Sequence, residues 1–280
     1  MELTSYFAPA KVNLCLHVNS SRADGYHELQ MVMQKVSLGD KLEIAVSPEP
    51  GVRFCCDTMA LDSGEENLVV RAARAMLIYD HDHHRGVDIV LTKNIPVAAG
   101  LGGGSSDAAT TLLALNQQLF LNLDAAQLHA VALSLGADVP FFLYEAVAWA
   151  CGIGARLHPI KIQPKFWLVL ANPGVSVSTA QVYNAIGYDD YSSCSMPDVI
   201  STRNELISLL HNDLDGAAIR LCPVIQTITD VLELLGADGT LMTGSGATAF
   251  GVFFDEQQAH TACHVLREDY SWWSDVVTPL

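Results

Sequence analysis

A run of glycines in the first half of the chain constrains its folding more than any other feature. Residues 100–107 read Gly-Leu-Gly-Gly-Gly-Ser-Ser-Asp. The preceding segment 87–91 alternates as a half-buried strand does, and the following residues place Leu112, Leu115 and Leu119 at helical spacing. The sequence therefore predicts a turn with few side chains between a strand and a helix. The backbone amides of such a turn, together with the positive end of the helix dipole, form an anion site.

Two common phosphate-binding loops do not fit these glycines. A P-loop requires Gly-Lys followed by Ser or Thr, and no lysine follows this run. The dinucleotide fingerprint requires a third glycine where Ser105 stands, and it follows the first strand of its domain. A flexible turn that binds nothing is the remaining alternative. The combination of Pro96, the glycine run and two serines between a strand and a helix favours a phosphate site over that alternative.

The composition indicates a folded, acidic protein. Half of the 280 residues are apolar and 16% are charged, which suits a large core and either two domains or one large one. The net charge of −16 disfavours nucleic acid and anionic membranes as partners. It does not exclude a phosphate ligand, because backbone amides and a divalent cation can hold phosphate. We therefore expect small-molecule partners, with no nucleic acid and no membrane.

The cysteines and the N-terminus indicate a reduced, cytoplasmic protein. Seven cysteines without a Cys-x-x-Cys pair are not typical of a disulfide framework. No signal-like N-terminus is present, and no stretch approaches the roughly 20 apolar residues of a membrane span. The histidines at 81–84 have no standard zinc spacing, and His260 and His264 lack the glutamate of a zinc protease motif. We therefore expect neither group to bind zinc.

Predicted strands and helices follow one another without a strict alternation, which favours an α+β fold over a doubly wound parallel sheet. The predicted strands are 12–18, 41–46, 87–91 and 166–171, with a further apolar run after a second glycine-rich turn within 241–254. The predicted helices are 66–79, one after the glycine run, one capped by Asp124, and 205–210, 224–235 and 257–267. The polar segment 187–197 reads as a loop. Glycines and prolines near 155–165 mark a candidate domain boundary.

The segment 96–108 resembles the nucleotide loop of the GHMP kinases. Two further motifs of that family have counterparts at 9–14, Pro-Ala-Lys-Val-Asn-Leu, and at 241–248, Leu-Met-Thr-Gly-Ser-Gly-Ala-Thr. Within the family, the chain is most similar to the kinases that act on 4-diphosphocytidyl-2-C-methyl-D-erythritol. That similarity is carried by four segments, Arg22–His27, Glu66–Ala73, Gly136–Phe141 and Asn172–Ser176. The matches together span about residues 8 to 250.

The resemblance implies a two-domain GHMP-kinase fold of the α+β class. An N-terminal ATP-binding domain is expected over residues 1–157, and it would contain a left-handed βαβ unit. A C-terminal ferredoxin-like domain is expected over residues 158–280. Periodicity by itself does not predict the left-handed crossover, which runs against the usual rule.

The resemblance also implies an activity and a set of site residues. The activity is transfer of the γ-phosphate of ATP, with Mg²⁺, to the 2-hydroxyl of a polyol linked to cytidine diphosphate in the non-mevalonate isoprenoid pathway. The expected catalytic residues are Lys11, which would orient a general base and steady developing charge, and Asp138, the base itself. The expected substrate-binding residues are Asn13, Tyr26, His27, Thr179 and Tyr183. The expected ATP-binding residues are Pro96, Val97, Ala98, Ala99, Gly100, Leu101, Gly102, Gly103, Gly104, Ser105 and Ser106. No metal ligand can be chosen from the sequence, and Ser105 and Ser106 are only candidates.

Two other functions are weighed against this one. A kinase of a mevalonate- or homoserine-type alcohol is disfavoured by the Tyr26-His27 pair, since a bare alcohol needs no aromatic clamp. A nucleotide-binding regulator without catalysis is disfavoured by the presence of both Lys11 and Asp138. From local pattern alone, Lys11 can also be an outward-pointing lysine of an edge strand, and Asp138 can be a helix N-cap.

Overall fold

A computed structural model describes residues 3–57, 66–80, 84–144 and 146–280. The first half of the chain contains β1 (Thr4–Ser21), β2 (His27–Ser47), β3 (Gly51–Cys56), α1 (Leu68–Leu77), β4 (Gly86–Thr92), α2 (Gly103–Gln118), α3 (Ala125–Leu135), α4 (Val139–Phe142), β5 (Val147–Gly152) and β6 (Arg156–Pro159). The second half contains β7 (Lys161–Ile162), β8 (Trp167–Asn172), α5 (Thr179–Ala185), β9 (Val199–Ile200), α6 (Arg203–Leu209), β10 (His211–Asn212), α7 (Asp215–Leu221), α8 (Val224–Leu234), β11 (Gly239–Met242), β12 (Ala249–Phe253), α9 (Glu256–Tyr270) and β13 (Trp273–Val277). The mixture confirms the α+β prediction.

The chain forms two compact units, to both of which the long strands β1 and β2 contribute. The first unit comprises Met1–Ala10, Leu38–Val97 and Gly102–Glu145. The second comprises Lys11–Ser37, Ala98–Leu101 and Ala146–Leu280. The predicted boundary between residues 157 and 158 stays a prediction.

In the first unit, a sheet in the order β1-β2-β4-β3 supports a layer of helices. Strands β3 and β4 run parallel with α1 between them, which is the βαβ unit that the family resemblance implies. Helix α1 begins where Asn67 accepts a hydrogen bond from the Val69 amide, and its buried face packs against α2. Asp124 caps α3 with a reciprocal Gln127 bond, so the predicted cap is confirmed.

In the second unit, a four-stranded antiparallel sheet has the order β11-β12-β8-β13. Helices α8 and α9 pack against it over a core that includes Trp167, Ile228, Leu232, Phe253 and Leu266. Each such fully buried side chain contributes about 1.5–3 kcal/mol relative to an exposed one. The chain order of these elements is β-α-β-β-α-β, which is the ferredoxin-like arrangement expected for the C-terminal part.

The second unit also contains the remaining strand pairs of the seven-stranded sheet to which β1, β2, β4 and β3 belong. There β10 pairs with β1 in parallel, and β5 pairs with the first half of β2 and with β6. The predicted strand 12–18 lies inside β1, where the side chains from Val12 to Val18 are buried. The polar segment 187–197 is a loop apart from one 3-10 turn at Tyr188–Asp190, as predicted. Within the described ranges, no helix has the length and apolar character that crossing a membrane requires.

Candidate functional site

The glycine run forms the predicted turn at the start of helix α2. Gly102 occupies the N-cap position with a φ of 72°, in the left-handed region that favours glycine, and it has no side chain with which to cap the helix. The first amides of an α-helix have no partner within the helix, so those of Gly103, Gly104 and Ser105 suit an anion. The turn thus has the open, positively polarised end that the sequence predicts.

A cluster of three buried charged side chains, Lys93, Asp40 and Asp107, supports this turn. Lys93 Nζ bonds to Asp40 and, at 2.9 Å, to Asp107 of helix α2. Asp40 also accepts hydrogen bonds from the amides of Asn94 (2.6 Å) and Ile95 (2.8 Å), which begin the loop. A Cβ atom on Gly103 would lie 3.1 Å from Lys93 Nζ, so the turn sits directly on the cluster. The cluster therefore positions both the entry to the loop and the first turn of α2.

The charges of the cluster are strongly perturbed. Burial, followed by repulsion from Asp40, raises the pKa of Asp107 to about 7 despite the opposing effect of Lys93. Burial lowers the pKa of Lys93, but attraction to the carboxylates of Asp107 and Asp40 outweighs it and the net shift is upward. Ser106 Oγ and Asp107 Oδ1 are buried and have no hydrogen-bond partner among the residues that the structure describes. Two buried oxygen atoms beside the turn can therefore accept a further ligand.

Sequence reasoning missed Lys93 and Asp40. Each stands next to an apolar strand segment, Asp40 before 41–46 and Lys93 after 87–91. A charged residue at such a boundary is ordinarily solvated. Only the pairing of β2 with β4, which sets Lys41 opposite Thr92, brings the adjacent Asp40 and Lys93 to one place in the first unit.

Asp138 lies in the first unit at the N-cap position of the short helix α4. Pro140 stands in the first turn of that helix, as anticipated from the sequence. Within the described residues, the Asp138 carboxylate makes no capping hydrogen bond to α4, so side-chain capping does not explain this residue. Its side chain is half-buried.

Lys11 and Asn13 lie on strand β1 in the second unit, and both are buried. Lys11 Nζ donates to Asn13 Oδ1 at 2.5 Å, and the Lys11 amide donates to Leu101 O at 2.9 Å. Lys11 is 4% exposed, so the alternative of an outward-pointing edge lysine is wrong. A buried ammonium group on a strand is costly unless it has a role or a partner.

The second glycine-rich turn, residues 243–246, packs against these groups. Thr243 Oγ1 accepts a hydrogen bond from the Asn13 amide at 2.9 Å, and Ser245 Oγ lies 2.8 Å from Thr179 Oγ1. A Cβ atom on Gly244 would lie 3.5 Å from Lys11 Nζ. The first and third family motifs and Thr179 are therefore neighbours, although the sequence analysis assigned Thr243 and Ser245 no role.

The two glycine-rich turns approach each other at Gly100. Its φ is +78°, and a Cβ atom there would lie 2.7 Å from Thr243 O, a distance that real side chains do not adopt. Asn212 holds the second turn through bonds from its amide nitrogen to Met242 O and Gly244 O, both 2.9 Å. Glycine is therefore required at position 100 for packing. Leading into the first turn, Val97 is exposed and Ala98 has a φ of 55°.

An aromatic group lies elsewhere in the second unit. The rings of His27 and Tyr183 stack with centroids 5.0 Å apart, and Tyr191 meets His27 edge-on at 6.2 Å. Tyr26 is 58% exposed, at a turn in which its amide donates to Asp24. Burial lowers the pKa of His27, which favours a neutral imidazole at neutral pH. The structure thus brings together two of the three residues expected to bind the base, and Tyr191 adds a ring that sequence reasoning missed.

Comparisons with known proteins agree over nearly the whole chain. The model of the GHMP kinases N terminal domain matches residues 67–146, and that of the GHMP kinases C terminal domain matches residues 198–271. The 4-diphosphocytidyl-2-C-methyl-D-erythritol kinase of Syntrophotalea carbinolica is 46% identical over 280 residues, covering 99% of each chain. The protein of the same name from Geobacter sp. (strain M21) is 43% identical over 278 residues, with 99% of each covered.

Solved structures of kinases are also similar to this chain. A crystal structure of 4-(cytidine 5'-diphospho)-2C-methyl-D-erythritol kinase is 38% identical, has a TM-score of 0.83 and covers 98% of this chain and 99% of that one. Homoserine kinase from Cytophaga hutchinsonii has a TM-score of 0.77 at 19% identity, covering 99% and 95%. At 19% identity, the similarity to homoserine kinase shows a shared fold only.

Proposed function

This chain belongs to the GHMP kinases, on the branch of the 4-diphosphocytidyl-2-C-methyl-D-erythritol kinases, and we propose from that premise that it phosphorylates the 2-hydroxyl of 4-diphosphocytidyl-2-C-methyl-D-erythritol with ATP. The observation that carries the proposal is the 46% identity that extends over 99% of both chains. The products are ADP and the 2-phosphate, in the non-mevalonate route to isoprenoid precursors.

The loop 96–106 holds the phosphates of ATP in this proposal. The amides of Gly103, Gly104 and Ser105 and the N-terminus of the 16-residue helix α2 face the same ligand, and the N-cap glycine leaves room for it. Phosphate is held here by backbone dipoles and needs no excess of positive side chains. This is how a chain with a net charge of −16 can bind a polyphosphate.

A magnesium ion fits the oxygen atoms beside this loop. Mg²⁺ prefers hard oxygen ligands and keeps several waters, and Ser106 Oγ and Asp107 Oδ1 are buried oxygens whose hydrogen-bonding capacity is unused within the described residues. Ser106 and Asp107 would therefore hold it, directly or through water. When bound, the ion supplies neutralisation of the charge on the transferring phosphate. The sequence candidates included Ser106 and did not include Asp107.

Asp138 is the proposed general base and Lys11 the proposed electrostatic residue. Phosphoryl transfer requires mainly positioning and charge stabilisation from a protein. The carboxylate of Asp138 makes no capping hydrogen bond to α4. In this proposal it takes the proton from the attacking hydroxyl. The buried ammonium of Lys11, fixed by Asn13, stabilises the charge that develops on the phosphoryl oxygens. Asn13 and Thr179 are the proposed contacts for the hydroxyl groups or the diphosphate of the acceptor.

Cytosine recognition is assigned to Tyr26, His27 and Tyr183. A pyrimidine offers two faces for stacking and one edge for hydrogen bonds, and aromatic stacking contributes roughly 1–3 kcal/mol per base. The His27 and Tyr183 rings stack on each other. A bound base would replace this ring–ring contact by its own stacking contact with one of the two rings. Exposed Tyr26 can then cover the second face.

The proposed partners are these two small molecules, and the proposed location is the cytoplasm. The net charge of −16 opposes nucleic acid binding. All seven cysteines are free thiols, which suits a reducing compartment.

An ADP-release assay with purified protein tests the function. We expect turnover with 4-diphosphocytidyl-2-C-methyl-D-erythritol and none with mevalonate or homoserine. The variant Asp138→Asn should lose about 10²–10⁴-fold in kcat while still binding both substrates. Asp124→Asn is a matched control, because Asp124 is also a helix N-cap aspartate of the first unit and asparagine caps equally well. Turnover of mevalonate at an equal rate would refute the substrate assignment, and an Asp138→Asn enzyme with more than about a tenth of the activity would refute only the role of Asp138.

A further inference from the structure

The register of two strands gathers metal-ligating side chains on one face of the second unit. Strands β1 and β10 pair in parallel with Cys15 opposite His211. Side chains alternate along a strand, so Cys15 and His17 share a face, and the pairing sets His211 and the following Asp213 beside them. The proposed kinase reaction uses none of these four residues.

The loop 187–198 adds a fifth side chain that can bind a metal, Cys194. Its Ser192 amide donates to Val18 O at 3.1 Å, and its Cys194 amide donates to Gln30 Oε1 at 3.0 Å. Those bonds fix Cys194 next to β1. The ligand atoms of Cys15, His17 and Cys194 then lie within 4.8 Å of one another.

The histidine of this group is already oriented by a second layer of contacts. Ser192 Oγ lies 2.6 Å from His17 Nδ1 and donates to Asp213 at 2.8 Å. The Asp213 carboxylate is itself fixed by the Val18 amide at 2.7 Å. The ring of His211 stacks on that of His17 with centroids 4.4 Å apart. Metal-binding histidines ordinarily bond through their other nitrogen to a carboxylate or a similar group, and here a serine relays that contact.

We propose that Cys15, Cys194 and Nε2 of His17 bind a Zn²⁺ ion, with a fourth position for water. Two sulfur ligands and one imidazole suit zinc and exclude magnesium or calcium, which take oxygen ligands. Binding replaces the thiol protons by the metal ion, and those protons pass to solvent.

The ion would tie the loop 187–198 to β1. Tyr191 in the same loop contacts His27 edge-on, so zinc binding would also steady the aromatic group proposed for the base. The ion takes no part in phosphoryl transfer in this proposal, since none of its ligands belongs to the proposed phosphoryl-transfer residues. Zinc binding at this place is therefore independent of which substrate the protein phosphorylates.

Metal binding by the full chain tests the inference directly. Protein purified under reducing conditions is stripped with a chelator, and Zn²⁺ is titrated in competition with a chromophoric chelator. We expect one Zn²⁺ per chain, and with Co²⁺ the charge-transfer absorption of cobalt–thiolate bonds together with tetrahedral d–d bands. Cys194→Ser should abolish tight binding and weaken the charge-transfer bands. Ser192→Ala removes the contacts of the Ser192 hydroxyl with His17 and Asp213 and no proposed ligand atom, so it should lower the affinity about 10–100-fold.

Cys222→Ser is the matched control, because Cys222 is a free cysteine of the same unit outside this group. It should bind Zn²⁺ as the unchanged protein does, and circular dichroism checks that each variant is folded. If Cys194→Ser does not fold, Ser192→Ala and the Co²⁺ spectrum of the unchanged protein decide the question. A Co²⁺ spectrum without thiolate bands, or equal affinity of Ser192→Ala and unchanged protein, overturns the proposal. Recovery of a Cys15–Cys194 disulfide and no metal from reducing conditions also overturns it.

Discussion

Replacement of Lys93 by methionine should expose how strongly the phosphate loop depends on a buried charge cluster. Lys93, Asp40 and Asp107 have side chains that are 6%, 0% and 2% exposed. Methionine retains most of the length of the lysine stem and removes its charge. The change therefore leaves two carboxylates in the interior of the first unit without this ammonium group.

The expected cost follows from that burial. Removal of one partner from a buried ion pair destabilises a protein by about 3–5 kcal/mol, because the remaining charge is uncompensated. For a chain of this size, each kcal/mol lowers Tm by about 2–4 °C, so we expect a fall of roughly 6–20 °C. Asp40 also holds the amides of Asn94 and Ile95, so affinity for ATP should fall together with the free energy of unfolding.

The loss should depend on pH in a defined direction. The folded-state pKa of Asp107, about 7, lies above the ordinary value of 3.8, so folding favours its protonated form. Its ionisation therefore costs stability progressively as pH rises from about 4 to 7. Without Lys93 that pKa rises further and the cost continues to grow above pH 7. The difference in unfolding free energy between the variant and the unchanged protein should therefore become smaller, by on the order of 1 kcal/mol, when pH falls from 8 to 5.

Urea unfolding at pH 5 and pH 8 measures these quantities. Lys41→Met is the control, because Lys41 is 49% exposed in an ion pair with Glu43 on β2, and such pairs contribute at most about 1 kcal/mol. Addition of Asp107→Asn to Lys93→Met should restore part of the lost stability. Equal stability of Lys93→Met and Lys41→Met at pH 8, or a gap that does not change with pH, would refute the reasoning.

Three further predictions concern the ligands. In Gly103→Val the added Cβ would lie 3.1 Å from Lys93 Nζ and 3.2 Å from Ile95, so the ATP affinity measured by calorimetry should fall severely. Gly216→Val is the control, because its Cβ would meet only Arg220, at 3.5 Å, and ATP affinity should not change. Unaltered ATP affinity in Gly103→Val would show that the loop does not bind phosphate. Tyr183→Ala should weaken inhibition by CDP by about one to two powers of ten, because one stacking contact with the base is lost. Tyr270→Ala, which breaks the Tyr270–Trp272 stack, is the control and should leave inhibition by CDP unchanged. Equal inhibition by CDP and UDP would contradict cytidine recognition. Excess EDTA should abolish turnover and added Mg²⁺ should restore it, and full activity without divalent cations would exclude magnesium.

Features that depend on nearby residues were predictable from the sequence. The glycine run lies at the start of helix α2 because glycine adopts the φ of 72° at the N-cap position, Gly102, without cost. The cap at Asp124 involves a partner three residues away. The lengths of β1 and β2 were not predictable in this way. The sequence indicated segments 12–18 and 41–46, whereas the strands extend over Thr4–Ser21 and His27–Ser47, because pairing with neighbouring strands determines where a strand ends.

Family motifs predicted candidate site residues, and the structure shows which neighbours contact them. Lys11 and Asn13 were recognisable from the first motif, but the bond from the Asn13 amide to Thr243 joins positions 230 residues apart. Likewise Tyr26 and His27 were predicted as base-binding residues from one sequence motif. The contact between Tyr191 and His27 depends on the tertiary structure, because the two residues are far apart in the sequence.

The two clusters of buried polar groups were decided by tertiary structure alone. Asp40 and Lys93 are 53 residues apart, and each is an ordinary charged residue beside a strand. Cys15 and Cys194 belong to a strand and to a polar loop that carries no periodic pattern. A sequence pattern predicts which side of a segment faces solvent and which faces the core. A buried ion pair or a set of metal ligands forms only when strand pairing brings several polar side chains together and removes them from water. There the cost of desolvation makes their mutual interactions strong.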